Sequence, residues 1–322
     1  MEPSDRRCGC SKSPDSISAP GIETRQERCQ SASKPASSGV LDRKFVTGIV
    51  RTPAGEIPQV STRLSTLDYL GAMRARWGIR RDQYRVNPGL YAIGTPDERS
   101  DVLVTANYKL TFDTVRRNLA GLNVWLMVLD TRGINVWCAA GKGTFGTEEV
   151  VRRIRATSLE KVVLHRRLIL PQLGATGVAA HLVKKASGFA VLFGPVRATD
   201  IQSFIRADHK ATKPMRLVTF GWFDRLVVTP NDFLFGIRYL IAVVLAYALL
   251  SSITRSGLSL EGGIRQAPMA AVNIGLSYFA GIVLTPLLLP FIPIRMFAFK
   301  GYVVGLVLTG ILAVSGMLSD IG

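Results

Sequence analysis

The apolar residues of this chain follow two different patterns. Between residues 58 and 232, short apolar runs alternate with stretches of helical periodicity, which is typical of an α/β fold with a mainly parallel sheet. Five runs are predicted strands: residues 101–106, 124–129, 162–164, 190–193 and 217–220. Helices are predicted over residues 66–77 and 111–120, from Thr147 onward, and near 177–187. The hydroxyl of Thr147 is a candidate cap for its helix.

The last part of the chain contains three long apolar runs instead. They cover residues 233–252, 268–293 and 301–318. Each is long enough to cross a hydrocarbon core, which takes about twenty helical residues. The second run contains Pro286, Pro290 and Pro293, so we expect it to tilt, kink or end in a re-entrant piece. Arg238, near the start of the first run, is expected to extend toward the membrane surface. The sequence therefore predicts an all-helical membrane domain of about three spans.

The distribution of charge separates the same two regions. The chain has 40 Lys and Arg residues against 23 Asp and Glu, a net charge of +17, but residues 233–322 contain only five basic and two acidic residues. A soluble basic domain therefore precedes the membrane domain. The positive charge suits contact with anionic membrane lipid, whereas no motif accompanies it that would indicate nucleic-acid binding.

Charged residues beside the predicted spans indicate an orientation. Basic residues flank the first span and the link between the second and third: Lys213, Arg216, Arg225, Arg295 and Lys300. They predict a multi-pass protein of the cytoplasmic (inner) membrane whose amino-terminal domain lies in the cytoplasm. Residues 1–45 contain no apolar core of a signal peptide, which agrees with that placement.

Residues 1–57 form a third region, because they are rich in Ser, Pro and mixed charges. We expect them to be disordered or loosely ordered, followed by a domain over 58–232 and the membrane domain over 233–322. They contain Cys8, Cys10 and Cys29. Three thiols are too few for a tetrahedral metal site or an iron–sulfur cluster, so no cluster is predicted. In a reducing cytoplasm these cysteines are expected to be free.

The candidate chemistry lies just after a buried strand at residues 122–130. Thr131-Arg132-Gly133 breaks that strand, and a short helical piece follows at residues 135–142, NVWCAAGK. Cys138 thus lies at the carboxyl end of a strand, where open α/β sheets bind ligands. The next three residues are small, which would let a large flat ligand approach the backbone. Lys142 lies one helical turn on, and its charge would favour a metal-binding thiolate at Cys138.

One other interpretation of this segment remains open, and another is excluded by the sequence. Free cysteine often behaves as a small buried hydrophobic residue, so Cys138 could belong to the core. A phosphate-binding loop of the pattern G-x-x-x-x-G-K-[ST] is excluded. That pattern needs Gly at position 136 and Ser or Thr at position 143, whereas this chain has Val136 and Gly143.

Four loops are expected to meet at one edge of the predicted sheet, since each follows a strand. They are residues 105–109, 135–145, 170–174 and 194–195. We place the ligand at this edge. For the loops other than 135–145, an ordinary turn role for Pro and Gly remains an alternative.

Residues 135–142 resemble the cap-helix signature N-[VI]-W-C-A-[AS]-G-K of the membrane-anchored corrinoid proteins of bacterial mercury methylation (the HgcA family). Flanking runs also resemble that family: residues 87–91 (NPGLY), 104–109 (VTANYK), 128–131 (VLDT), 165–167 (HRR) and 170–174 (LPQLG). The resemblance covers roughly residues 58–232, and the apolar segments that follow agree with it. The flanking runs are shared, more loosely, with corrinoid iron–sulfur proteins of the acetyl-CoA pathway.

This resemblance implies a Rossmann-like corrinoid-binding domain with a cap helix, followed by a transmembrane domain. The cofactor would be a corrinoid, cobalamin or a related compound, whose cobalt has Cys138 as its lower axial ligand. The implied reaction is transfer of a methyl group to Hg(II), giving methylmercury, with Cys138 as the catalytic residue. Cofactor contacts are expected from Thr105, Asn135, Val136, Trp137, Cys138, Ala139, Ala140, Gly141, Lys142, Gly143, Gln172 and Gly174. Asn135 could instead cap the helix, and Trp137 could pack beside the ring.

The resemblance also implies partners that the residues themselves do not reveal. These are a ferredoxin-like protein with two [4Fe–4S] clusters as electron donor, a methylated folate as methyl donor, Hg(II) as substrate, and membrane lipid. His165, expected at the end of a strand, could contact the cofactor's phosphate or an acidic partner, or could simply lie at the surface. The family's membrane domain generally has more than three spans, so we expect this sequence to be part of a longer chain.

Two further functions remain open. The chain could be a methyl carrier of the acetyl-CoA pathway type, or a cobalamin-binding protein without catalytic activity. Activity of a Cys138→Ala variant would separate these classes, since only methyl transfer depends on the axial ligand.

Overall fold

Strands and helices alternate in the first half of the computed structural model, and long helices follow. The structure describes residues 45–254, 257–258 and 260–316. The strands are β1 Val46–Thr52, β2 Gly55–Val60, β3 Gly89–Ile93, β4 Val102–Ala106, β5 Val124–Leu129, β6 Arg167–Leu170, β7 Ala190–Phe193, β8 Ile253–Thr254 and β9 Gly257–Leu258. The helices are α1 Thr66–Arg76, α2 Lys109–Asn118, α3 Val136–Gly141, α4 Thr147–Ala156, α5 Ala180–Ser187, α6 Ile201–Arg206, α7 Trp222–Ser251, α8 Leu260–Phe279, α9 Thr285–Leu288 and α10 Phe297–Val314.

Seven strands form one mixed sheet in the order β1-β2-β3-β5-β4-β6-β7. The four strands β5, β4, β6 and β7 are mutually parallel, whereas β3 pairs with β5 in the antiparallel direction. From β4 the chain moves to β5 on one side and then crosses to β6 on the other. The loops after β4 and β6 therefore diverge, which leaves a crevice at this edge of the sheet, the usual place of a ligand in open α/β sheets. The predicted α/β fold is confirmed.

The sheet is covered on both faces, which explains why β4 and β5 are continuous apolar runs. Side chains of α3, α4 and α5 pack on one face, including Ala139, Val150 and Val183. Side chains of α2 and α6 pack on the other, including Phe112 and Phe204. Successive residues of β4 alternate between these two layers.

Three of the five strand predictions match closely and two are wrong. Strands over 124–129 and 190–193 are confirmed, and the strand predicted at 101–106 is β4. The strand predicted at 162–164 is wrong, since β6 begins at Arg167 and residues 159–161 form a 3-10 helix. Residues 217–220 form no strand and lead into α7.

Each predicted helix is present, but the predicted N-cap of one helix is wrong. The predicted helices correspond to α1, α2, α4 and α5. Thr147 does not cap α4, because Gly146 occupies the N-cap position. The Thr147 hydroxyl instead accepts a hydrogen bond from the backbone N–H of Ala179, at 2.9 Å, and joins α4 to α5.

The segment expected to be disordered or loosely ordered, residues 1–57, is ordered in its last part. β1 and the first half of β2 lie within it, and the two strands pair as an antiparallel hairpin at the edge of the sheet. Alternate residues of β1 are exposed, so the strand has none of the continuous apolar character that identifies β4. Residues 1–44, with Cys8, Cys10 and Cys29, lie outside the described residues.

Among the residues that the structure describes, three helices are long and apolar enough to cross a membrane: Trp222–Ser251, Ala267–Leu288 and Phe297–Val314. The first begins eleven residues before the predicted run. The second changes to a π-helical turn over residues 280–284 before the short α9, and Pro290 and Pro293 follow the helix end, as the predicted interruption requires. Tyr278 of α8 donates a hydrogen bond to the carbonyl of Phe233, which joins the first two helices.

Candidate ligand site at the carboxyl edge of the sheet

The short helix α3 presents Cys138 at the carboxyl edge of the parallel strands. Asn135 is its N-cap, and the side-chain oxygen accepts a hydrogen bond of 2.9 Å from the backbone N–H of Cys138. The capping role proposed for Asn135 is therefore confirmed. Cys138 is a free and exposed cysteine, so it does not belong to the core.

The two sides of α3 differ in burial. Val136, Ala139 and Ala140 are buried against the sheet, which explains why two of them must be small. The opposite side is exposed and carries Trp137, Cys138, Gly141 and Lys142. Trp137 is 60% exposed, an unusual position for the largest apolar side chain. The exposed side of α3 is thus the part of this segment that a ligand can reach.

Asn107, at the end of β4, holds the loop that leads into α3. Its side-chain oxygen accepts hydrogen bonds from the backbone N–H and hydroxyl of Thr131, at 3.1 and 2.8 Å, and from the N–H of Gly133, at 2.9 Å. Its amide group donates to Asp130 at 3.1 Å. Asn107 is buried. The sequence analysis includes Asn107 only as part of the run at residues 104–109. Its role in holding this loop could not be predicted, because it depends on the pairing of β4 with β5.

A cavity of about 620 Å³ lies beside α3, on the face of the sheet that α2 and α6 cover. All four loops that were predicted to meet contribute to its wall, including Thr105, Asn135, Pro171 and Gly194. The cavity is located between the ends of β4 and β6, where the crossing of the chain opens the crevice. Side chains of α7 close it on the remaining side.

Thr105 carries an unsatisfied polar atom at this cavity. The residue is 1% exposed, lines the cavity, and its hydroxyl has no hydrogen-bond partner among the described residues. Buried hydroxyl groups almost always have a partner, so such an atom is a candidate contact for a polar ligand group.

The predicted cofactor residues are only partly brought together. Thr105, Asn135, Val136 and Trp137 line the cavity. Cys138, Gly141 and Lys142 lie on the exposed side of that helix instead, and Ala139 and Ala140 are buried against the sheet. Gln172 accepts a hydrogen bond of 2.8 Å from Arg216, which occupies its side-chain oxygen.

Two of the predicted glycines have reasons in the fold itself. A Cβ on Gly174 would lie 2.5 Å from Cε1 of Phe145, so this glycine permits the buried ring to pack below the loop after β6. Gly143 has φ +76°, a backbone conformation that favours glycine, and it ends the turn after α3.

Cationic and aromatic groups surround the cavity on the side of α1. Arg76 and Arg81 line it, and the Arg81 guanidinium lies 5.7 Å from the ring centroid of Tyr108. Burial raises the pKa of Tyr108, although the nearby Arg81 opposes this shift. The phenol is therefore neutral at physiological pH.

His165 lies at the opposite edge of the sheet from the cavity. Because β6 begins at Arg167, His165 precedes that strand, and its Nε2 is 2.9 Å from the carbonyl oxygen of Ser100, ahead of β4. The suggested contact between His165 and a cofactor at the carboxyl edge is therefore wrong.

Within the described part of the chain, no group of three or more His, Cys, Asp or Glu side chains could hold a metal ion. Cys138 can offer one sulfur ligand to a metal whose other ligands come from elsewhere.

Comparison with known proteins relates the α/β domain to a defined group. Residues 71–205, less than half of the chain, match the family described as CO dehydrogenase/acetyl-CoA synthase delta subunit. The chain is 37% identical over 130 residues to the acetyl-CoA decarbonylase/synthase complex subunit gamma of Methanopyrus kandleri, covering 40% of this chain and 28% of that protein. It is 32% identical over 126 residues to the corrinoid/iron–sulfur protein large subunit of Moorella thermoacetica, covering 38% and 28%.

The chain thus spans less than a third of the length of these curated relatives. The family match ends at residue 205, before α7 begins, so the three long helices lie outside it. The α/β domain is related to protein subunits that include a corrinoid/iron–sulfur protein.

Proposed function

We propose that this chain is a corrinoid protein anchored in a membrane, in which Cys138 is the lower axial ligand of cobalt and a methyl group is carried and transferred. The observation that carries the proposal is the exposure of Cys138 on a capped helix at the ligand edge of the sheet. The similarity of residues 71–205 to subunits that include a corrinoid/iron–sulfur protein supports this choice of cofactor.

The described residues fit a large macrocyclic ligand with polar edges. Cys138 offers a soft sulfur ligand, and a Cβ on Gly141 would meet no atom within 4 Å, so the space over this side of α3 is open. Trp137 provides an exposed aromatic surface beside it. The buried hydroxyl of Thr105 has no hydrogen-bond partner among the described residues and can bind a polar group of the ligand.

A bound corrinoid supplies the cobalt–carbon bond of the reaction, and the protein controls its position and electron density. Cys138 would hold the metal through its sulfur and donate electron density to it. Asn135 would keep the sulfur in place through its hydrogen bond to the backbone of Cys138, and Asn107 would hold the loop before it. Trp137 would shield one edge of the site from water.

The comparisons support a methyl carrier of the acetyl-CoA pathway type better than the mercury methylation that the cap-helix signature implied. We therefore propose methyl carriage as the primary function. Methylation of Hg(II) is the second candidate, since an electron-rich sulfur ligand favours transfer to a soft electrophile. The NVWCAAGK segment and the three apolar helices favour this second candidate.

Other parts of the proposal come from the resemblance. A ferredoxin-like protein with two [4Fe–4S] clusters would reduce the cobalt, and a methylated folate would supply the methyl group. The chain would lie in the cytoplasmic membrane with its α/β domain in the cytoplasm, an orientation supported by the basic residues beside the helices.

The experiment that tests the proposal begins with binding. The full chain in detergent micelles is titrated with methylcobalamin, and its absorbance spectrum is compared with that of Cys138→Ala. Cys29→Ala is the matched control, because it also removes a thiol. We expect the wild type and the control to give a sulfur-ligated spectrum and Cys138→Ala to bind without it. Identical spectra for all three proteins would reject the axial-ligand role.

A second stage separates the two acceptors. The loaded protein is given Hg(II) in single turnover, with an equal amount of free methylcobalamin as a control for the uncatalysed reaction. Faster formation of methylmercury by the wild type than by either Cys138→Ala or free cofactor supports the mercury reaction. Binding without such acceleration favours the carrier function, and reduction followed by methylation from a methylated folate then tests it directly.

A further inference from the structure

We infer, on the basis of the corrinoid proposed above, that the first membrane helix forms a wall of the ligand site and contributes the polar side chains of Asn231 and Asp232 to it. The cavity beside α3 is lined by four residues of α7: Val227, Val228, Asn231 and Asp232. Val227 and Asn231 are four positions apart, as are Val228 and Asp232, so the two pairs lie on one side of the helix, one turn apart. The family match at residues 71–205 does not extend to this helix.

Helix α7 approaches the α/β domain at two points around the cavity. Gly78, just after α1, is so close to α7 that a Cβ there would lie 2.9 Å from the side-chain oxygen of Asn231. On the other side, Arg197 donates hydrogen bonds to the carbonyl of Thr219, at 2.8 Å, and to Asp224, at 3.0 Å. Arg197 follows directly on Gly194-Pro195-Val196, which line the cavity. The loop after β7 therefore contacts both the cavity and the start of the helix.

The charges around the cavity suit the chemistry of a corrinoid. The edge of a corrin ring carries carboxamide side chains, and the nucleotide tail of a complete corrinoid carries a phosphodiester. Asn231 and Asp232 can hydrogen-bond to carboxamides, and Arg76 and Arg81 can bind a phosphodiester. The Asn231 amide group donates a hydrogen bond of 3.2 Å to Asp232, so the two side chains lie together at the cavity wall. These groups are arranged around an otherwise mainly apolar cavity, as in most small-molecule sites.

If this wall belongs to the site, ligand binding and the position of the membrane helix depend on each other. A ligand that contacts both α7 and the sheet stabilises the packing of α7 against the sheet. Displacement of α7 should in turn lower the affinity for the ligand. A docked partner or a change in the membrane could then alter affinity through the helix.

The test measures the affinity of the full chain for cobalamin in lipid nanodiscs, from the absorbance change on titration. Val228→Trp places a bulky ring in the cavity, and we expect the affinity to fall roughly tenfold or more, as for one misfitting side chain in a packed site. Val243→Trp is the matched control, because Val243 lies on the same helix, is 53% exposed and does not line the cavity. The control should bind as the wild type does.

Asp232→Leu is the second variant, and it does not depend on the fit of a large ring. We expect this variant to lower the affinity for cobalamin by roughly threefold or more, which corresponds to the loss of one hydrogen bond between protein and ligand. Wild-type affinity in both Val228→Trp and Asp232→Leu would overturn the inference while leaving the proposed function intact. Absence of cobalamin binding by the wild type itself would overturn the proposed function as well, so the two failures can be distinguished.

Discussion

The side chain of Asn107 accepts hydrogen bonds from both the backbone N–H and the hydroxyl of Thr131, at 3.1 and 2.8 Å. Asn107 follows β4 and Thr131 follows β5, so this pair joins the carboxyl ends of two neighbouring parallel strands. The same hydroxyl also lies 2.6 Å from the carbonyl oxygen of Ile134, immediately before the N-cap of α3, so its single hydrogen is shared between Asn107 and Ile134. The position of Cys138 thus depends on an asparagine that lies thirty-one positions earlier in the sequence.

Replacement of Asn107 by Ala should loosen this support without touching the cysteine. It removes the acceptor of the backbone N–H groups of Thr131 and Gly133 and leaves these buried groups unpaired, each at a cost of about 1–3 kcal/mol. The Thr131 hydroxyl keeps the carbonyl of Ile134 as an acceptor. We expect a lower unfolding temperature and a weaker sulfur-ligated spectrum with bound cobalamin. Asn118→Ala is the control, since Asn118 donates only to Thr114, within its own helix. An unchanged spectrum in Asn107→Ala would show that α3 is positioned by other contacts.

Thr105→Val should have opposite effects on the free and the loaded protein. Its hydroxyl is buried and has no hydrogen-bond partner in the described part of the chain, and replacing such a group by a methyl removes a desolvation cost of about 1–3 kcal/mol. The free variant should therefore unfold at a slightly higher temperature, while cobalamin should raise that temperature less than in the wild type. Thr157→Val is the control, because its hydroxyl donates to Arg153 and lies away from the cavity. Equal stabilisation by cobalamin in Thr105→Val and the wild type would contradict a ligand contact at this hydroxyl.

The sequence predicted the central strands because burial on both sides produces an unmistakable pattern. β5 reads VWLMVL with every residue buried, and its predicted bounds are correct. β1 alternates between exposed and partly buried residues at the edge of the sheet, so no continuous apolar run identifies it. Val162 and Val163 are buried like strand residues, yet they follow a 3-10 helix, and burial alone does not specify backbone conformation.

The part of the candidate site that lies within one continuous segment could be predicted from the sequence. The residues of α3, with Cys138 after an N-cap, form such a segment. Contacts between distant residues were not predictable in this way: Asn107 with Thr131, the unpaired hydroxyl of Thr105, and the wall formed by α7 each require the topology first.

Gly174→Ala should destabilise the fold, because the small size of Gly174 is needed for packing. The added methyl group would lie 2.5 Å from the buried ring of Phe145, and overpacking of this kind typically costs about 1–3 kcal/mol. Gly89→Ala is the control, since a Cβ there meets no atom within 4 Å. We expect a lower unfolding temperature for Gly174→Ala alone, with partial recovery when Phe145→Leu is added. A stable Gly174→Ala variant with weakened cobalamin binding would instead assign this glycine to the ligand.

The last prediction concerns pH and a buried group of ion pairs that joins α1 to α2. Asp68 accepts hydrogen bonds from Lys109 at 2.6 Å and Arg116 at 2.9 Å, and Asp113 contacts the same two cations. Burial alone would raise the pKa of Asp68, but the hydrogen bond from Lys109 and those from Ser65 outweigh it and hold the pKa well below its usual value. A carboxyl whose pKa falls on folding stabilises the protein above its unfolded pKa of about 4, and this contribution is lost as the pH falls further.

Asp68→Asn should therefore lower the unfolding temperature at pH 7, since breaking a buried pair typically costs about 3–5 kcal/mol. Below pH 4 the difference from the wild type should become smaller, because Asp68 then binds a proton in the unfolded wild type while it stays ionised in the folded protein, so folding must release that proton. Asp82→Asn is the control, as Asp82 is exposed and belongs to no ion pair among the described residues. The measurement is the unfolding temperature of the three proteins in micelles from pH 7 to pH 3. A difference between Asp68→Asn and the wild type that stays constant over this range would show that the carboxylate charge contributes little. The side chain would then act mainly through its hydrogen bonds with Ser65, the N-cap residue of α1.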